Sequence, residues 1–122
     1  MSLGFPRDSR ITRGPELQRV LKEGKRIRTK SFDVRACASP LGHSSGRRIG
    51  IIVPKAKHNA VERNLLKRQL KELARTMLLP AGAAMDIVLL ARNDTYRAPF
   101  IVLADDMRRV TETLRVTGDD TR

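Results

Sequence analysis

An α/β chain, built as an α+β two-layer sandwich, is what this sequence predicts, and three patterns predict it. From Phe32 to Ala36 apolar and polar residues alternate, the period of a strand with one buried face. Residues 48–53 and 85–91 are short runs rich in Ile, Val and Leu, as strands buried on both faces are. Leu66, Leu70, Leu73 and Met77 recur at three- and four-residue intervals, and so do Phe100, Leu103, Met107, Val110 and Leu114. That is the period of helices with one apolar stripe. Strands and helices of this kind bury their apolar faces against one another in layers.

The elements follow in order. Residues 1–13 carry Arg7, Arg10 and Arg13 with little apolar content and read as a flexible basic arm. Gly14-Pro15 starts a first helix, since the fixed φ and missing N–H of proline suit the first helical position. Leu17, Val20 and Leu21 give that helix an apolar face, and Gly24 ends it. A basic connector from Lys25 to Lys30 leaves room for an extra short strand near Ile27. The alternating strand then points Phe32, Val34 and Ala36 one way and Asp33 and Arg35 the other. Residues 40–46 form a loop by composition, and the strand over 48–53 stops at Pro54. These two strands are expected to form an antiparallel pair. Asn59 can cap the next helix, with Glu62 three residues on completing a capping box. Leu79-Pro80-Ala81-Gly82 ends it, residues 85–91 form a buried strand, and an amphipathic helix from Phe100 closes the fold. Residues 117–122 read as a frayed tail. One domain is therefore expected over 14–116, between the arm and the tail, with no internal repeat.

Charge narrows the function. The 122 residues hold 25 Lys and Arg against 13 Asp and Glu, a formal charge of +12 and a pI near 11.2. That excess implies a polyanionic partner or an anionic membrane. No apolar run approaches the ~18 residues needed to cross a bilayer, and the N-terminus lacks a secretory pattern. Cys37 is the only cysteine, so no intramolecular disulfide can form and a zinc site would lack its thiolate cluster. A cytoplasmic location with no membrane partner is the expectation.

The charge concentrates on the middle helix. Arg63, Lys67 and Lys71 are spaced by four and stack as like-charge neighbours, each pair costing an isolated helix roughly 0.2–0.5 kcal/mol. Arg63, Asn64, Lys67, Arg68, Lys71 and Arg75 fall on an arc beside the apolar stripe, with Lys55 and Lys57 just upstream. A helix that accepts this repulsion recovers it against a polyanion, so the arc reads as an RNA-backbone contact surface. Leu65 falls on the far border of the arc and is expected to be exposed. The acids do not cluster as a metal-dependent nuclease requires. Asp105-Asp106 sits on the polar side of a helix and Asp119-Asp120 in the tail, both solvated. His43 and His58 lack a partner pattern, and Cys37 reads as a small buried hydrophobe. No protein active site is expected.

The stretch Asn59-Ala-Val-Glu-Arg63-Asn64-Leu65-Leu-Lys67-Arg68-Gln-Leu-Lys71-Glu72 resembles the protein subunit of bacterial ribonuclease P. That family shows Asn-Ala-Val-x-Arg-Asn-Arg-x-Lys-Arg-x-x-Arg-Glu on its long helix. The likeness extends to Glu16–Gly24, to Ser31-Phe32, to Pro54-Lys55 and to Asp86–Arg92, spanning about residues 10–116. It implies a left-handed β-α-β crossover around the long helix. It also implies an accessory subunit of a ribonucleoprotein endonuclease that matures the 5′ end of precursor tRNA. Catalysis would belong to the RNA subunit, which would hold the magnesium ions, with no organic cofactor and no obligatory protein partner. Lys55, Arg63, Asn64, Lys67 and Arg68 match the family's RNA-binding positions, and Lys71 stands where it has an arginine. Leu17, Leu21, Phe32 and Arg35 would border the cleft for the single-stranded 5′ leader. Leu65 replaces a motif arginine, and Leu17 and Leu21 replace two cleft aromatics. A structural or ribosomal-type RNA-binding protein explains the charge and fold but not the Arg-Asn-x-x-Lys-Arg context. A DNA-binding protein would need a helix-turn-helix pair where this chain has strands.

Overall fold

Branched and aromatic residues build the centre of the molecule, and helices close over both sides of it. The computed structural model describes residue 11 and residues 14–38, 47–55, 57–78 and 85–120, the last six as backbone alone. Helix α1 spans Gly14–Glu23, strand β1 Lys25–Arg28, β2 Phe32–Ala38 and β3 Arg48–Ile52. Helix α2 spans Ala60–Leu73 and runs into a π-helical turn at Ala74–Leu78. Strand β4 is Met85–Ala91, followed by a 3₁₀ turn at Asn93–Arg97 and helix α3 at Phe100–Asp120. The basic arm other than Ile11, the loop at 40–46 with His43, and the Leu79-Pro80-Ala81-Gly82 stop lie outside the described residues.

The sheet order is β1-β2-β4-β3. Strand β2 is antiparallel to both β1 and β4, and β3 is parallel to β4. This corrects the expected pairing of β2 with β3, because β4 lies between them. The reason is apolar content. Ile87, Val88 and Leu89 are all fully buried, so β4 is covered on both faces and lies inside the sheet beside β2, which leaves β3 at an edge. The short strand expected near Ile27 is present as β1.

Two cores of unequal size result. On one face Phe32, Val34, Ala36, Ile49, Ile87 and Leu89 meet Leu66, Leu70 and Leu73 of α2 and Leu103, Met107, Val110 and Leu114 of α3. On the other face α1 buries Val20 against Val88 and Ile11, with Leu17, Leu21, Cys37, Ile52 and Leu90 packed around them. Gly24 ends α1 by donating its N–H to the Val20 carbonyl at 2.8 Å. A Cβ there would meet that oxygen at 2.5 Å and the Ala36 nitrogen at 3.0 Å, so only glycine lets the chain turn directly into β1.

Helix α3 departs from expectation at three places. Its backbone continues to Asp120, through part of the segment read as a tail. Phe100, in its first turn, stays 45% exposed instead of joining the stripe. Asp106 is buried, not solvated: its carboxylate accepts the Ser31 N–H at 3.0 Å and the Ser31 hydroxyl, while the Thr95 hydroxyl donates to the Ser31 carbonyl. Burial obliges the carboxylate to find those donors. Its neighbour Asp105 is partly exposed, and its hydrogen bond to Arg108 holds its carboxyl below the usual range.

Leu70 lies at the centre of the larger core with no exposed surface. Leu70→Ala should lower the unfolding free energy by about 2–5 kcal/mol, measured as a lower urea midpoint at unchanged m-value.

Candidate nucleic-acid interface

The basic helix is aimed by the turn that precedes it. Lys57 holds a left-handed backbone with φ of 69°, a conformation that costs a non-glycine residue on the order of 1 kcal/mol. Its surroundings hold it there. The His58 N–H reaches the Lys55 carbonyl at 3.2 Å, and the His58 ring stacks on Tyr96 with centroids 3.5 Å apart. The Tyr96 hydroxyl in turn donates to the Pro54 carbonyl at 2.7 Å. Asn59 then caps α2 with both halves of a capping box in place: its side chain accepts the Glu62 N–H at 2.8 Å, and Glu62 accepts the Asn59 N–H at 3.0 Å.

That box uses the only acid of the first turn, and the cations beyond it stay unneutralised. Lys55, Lys57, Lys67, Arg68 and Lys71 are exposed, and none makes an ion pair or side-chain hydrogen bond among the described residues. Asn64 is exposed beside them, and Leu65 is 53% exposed, as its helical position required. Two predicted contacts are partly committed elsewhere. Arg63 is half-buried and donates to the His58 carbonyl at 2.9 Å, bracing the turn. Arg75 sits in the π-helical turn and binds Glu72 at 2.6 Å, a hydrogen bond that raises its already high pKa.

The second feature is the sheet face under α1. A buried carboxylate organises it. Asp86, with no exposed surface, takes Arg48 in a two-pronged contact at 2.9 and 2.7 Å and also binds Arg19 of α1. Arg48 reaches on to Glu16 at 3.3 Å, and Arg19 contacts the Cys37 sulfur at 3.3 Å. The bond to Asp86 raises the Arg48 pKa still further, against the opposing effect of burial. Neighbouring Arg47 is buried too; it donates to the Leu78 carbonyl at 3.1 Å, tying down the end of the π turn, and burial lowers its pKa. Helix α1 comes close to the sheet at Gly50, where a Cβ would stand 2.8 Å from Leu17 Cδ2 and 3.3 Å from the Ile11 carbonyl oxygen.

Beyond α1 the same face continues as Leu90, Ile52, Arg35, Asp33 and Arg92, all partly exposed. Arg92 clamps its far end, binding Asp33 at 2.8 Å and the Lys30 carbonyl. Of the four residues expected to border a leader cleft, three meet here. Leu17 and Leu21 flank the face, and Arg35 donates to the Leu21 carbonyl at 3.0 Å. Phe32 does not. Strand parity turns it to the opposite face, where it is fully buried in the larger core and out of reach of any base. Asp86, Arg48, Arg19 and Arg92 were missed by sequence reasoning. An acid inside the apolar run of β4 was the signal for the first. Among the described residues no three His, Cys, Asp or Glu side chains group to hold a metal ion, and no helix is long and apolar enough to cross a membrane.

Comparison with known proteins converges on one family. The family model described as Ribonuclease P matches residues 5–115. The Ribonuclease P protein component of Ruegeria pomeroyi is 41% identical over 86 residues, 69% of each chain. That of Mycobacterium avium is 30% identical over 107 residues, 86% of this chain and 90% of its own. Among solved structures, the RNase P protein of Staphylococcus aureus superposes with a TM-score of 0.76 at 27% identity, over 88% of this chain and 96% of that one.

Because Asp86 is buried with two arginines, Asp86→Ala strands Arg48 in the interior without its counter-charge. A loss of about 3–5 kcal/mol in unfolding free energy is expected, read by urea denaturation. A loss under about 1 kcal/mol would show that α1 does not depend on this carboxylate.

Proposed function

From the premise that the chain belongs to the Ribonuclease P family, as a protein subunit of an endoribonuclease complex in tRNA processing, we propose its division of labour. The exposed face of α2 binds the catalytic RNA, and the sheet face beside α1 receives the 5′ leader of precursor tRNA. The observation that carries this reading is the unneutralised row of Lys67, Arg68 and Lys71, continued by Lys55 and Lys57 at the turn.

The chemistry asked of the protein is positional and electrostatic. Ammonium and guanidinium groups held on one rigid helix neutralise phosphates that would otherwise repel one another, and they release condensed counterions as they do so. Asn64, exposed among them, offers a donor and an acceptor to RNA. Magnesium in this reading is held mainly by the RNA, which performs the hydrolysis; the protein lowers the magnesium concentration at which the RNA stays folded and holds substrate. Leu17, Leu21, Ile52 and Leu90 give the leader an apolar wall, and Arg35 a cation beside it. The assembly works in the cytoplasm and needs no further protein.

Two expected outcomes test this. At low magnesium, cognate ribonuclease P RNA should cleave precursor tRNA efficiently only when the protein is added, and the protein alone should be inert. RNA binding without any activation of cleavage would instead identify a structural RNA-binding protein. In the Lys67→Ala/Lys71→Ala variant, affinity for the catalytic RNA should fall and its log–log salt slope should shrink by roughly one to two units. The thermal unfolding midpoint should not fall, since both side chains are exposed and unpaired and their removal relieves like-charge repulsion.

A further inference from the structure

The connector between α1 and β2 carries a charge that the two surfaces above leave unused. From Lys22 to Lys30 it has five cations, Lys22, Lys25, Arg26, Arg28 and Lys30, and the single acid Glu23. All five are exposed. The register decides where two of them point. Arg26 pairs with Arg35 and Arg28 with Asp33, and directly opposed residues in an antiparallel pair share a face. Arg26 and Arg28 therefore stand on the same face as Leu90, Arg35 and Arg92. Ile27, paired with Val34, faces the core on the other side.

This arrangement is unfavourable for the protein alone. Like charges directly opposed across two strands destabilise the pair, and Arg26 opposite Arg35 is such a pair. Arg35 has turned its guanidinium to the last turn of α1, at the Leu21 carbonyl. Arg26 makes no ion pair among the described residues. Arg28 has only Asp33 at 3.9 Å, and Arg92 holds that carboxylate more closely, at 2.8 Å. A polyanion lying across β2 and β1 would relieve both arginines together.

Resting on the leader reading above, we propose that Arg26 and Arg28 form an outer subsite for leader nucleotides farther from the cleavage site, gripping phosphates. Strand β3 leads through the turn around Lys57 into α2, where the catalytic RNA is placed, so in this reading the leader enters the face from the β3 side. Strand spacing of ~4.8 Å then sets β1 about 14 Å farther across the sheet, beyond the reach of a short leader. Base stacking has no part in the subsite. Among the described residues the aromatic side chains lie elsewhere: Phe32 in the larger core, Tyr96 against His58 and Phe100 on α3. The subsite is therefore indifferent to leader sequence and sensitive to salt.

The test measures affinity of the reconstituted holoenzyme for precursor tRNAs with leaders of about two and about ten nucleotides, using wild-type protein and Arg26→Gln/Arg28→Gln. The long leader should lose roughly tenfold in affinity in the variant, with the salt slope reduced by about 1.4 units, and the short leader should be unaffected. Replacing the distal leader bases by abasic residues should leave wild-type affinity within about twofold. Equal loss on both substrates would overturn the proposal by moving the contact to the catalytic RNA or the tRNA body. No loss on either would overturn it by leaving these arginines as edge charges alone. Wild-type affinity that ignores leader length would refute the leader reading itself, a result distinct from failure of the subsite.

Discussion

A single buried charge sets the geometry on which everything else rests. Asp86 lies on the central strand with no exposed surface, and an ionised carboxylate in that position must be matched. It is matched from two directions, by Arg48 on the adjoining strand and by Arg19 on α1. Apolar contact alone would let α1 slide over the smaller core of Val20, Val88 and Ile11. A two-pronged guanidinium and a second arginine on one carboxylate allow far fewer placements. The helix is fixed there, with Glu16 and Cys37 held at its margins, and the width of the open sheet face beyond Leu21 follows.

The same sorting of charge extends through the molecule. Its acids are largely spent on internal duties: Asp106 on the Ser31 turn, Glu62 on the α2 cap, Asp33 on Arg92 and Glu72 on Arg75. The cations on α2 keep no such partner, so the charge excess is concentrated on the faces argued to meet RNA. Net charge describes how basic a chain is; the hydrogen-bond pattern decides where that basicity can act.

What the sequence made legible was local. The capping box at Asn59 and Glu62, the end of α1 at Gly24, the exposure of Leu65 and the span of β4 all follow from spacing and residue type. What it hid was long-range. Alternation showed that Phe32 and Arg35 face opposite ways, but only the packing of α1 on Val88 and Leu90 tells which face that helix covers. Phe32 was assigned to the cleft for want of that. Asp106 lies three residues after Leu103 and could have been placed at the edge of the buried stripe, yet its partner Ser31 is 75 residues away. The π turn at Ala74–Leu78, which removes Arg75 from the row ahead of it, carries no comparable signal in its residues.

The two borders of the sheet are protected by different means. On the β3 side the Ile11 N–H bonds to the Ile49 carbonyl at 3.0 Å, so backbone from near the N-terminus already occupies part of that border. On the β1 side the border is open, but Lys25, Arg26 and Arg28 stand along it. Lysine and arginine on an open strand discourage a second copy from adding its own strand by electrostatic repulsion. The strand is also only four residues long, which further limits it as a template for strand addition. Without those charges the same border would offer a second copy an unguarded strand edge.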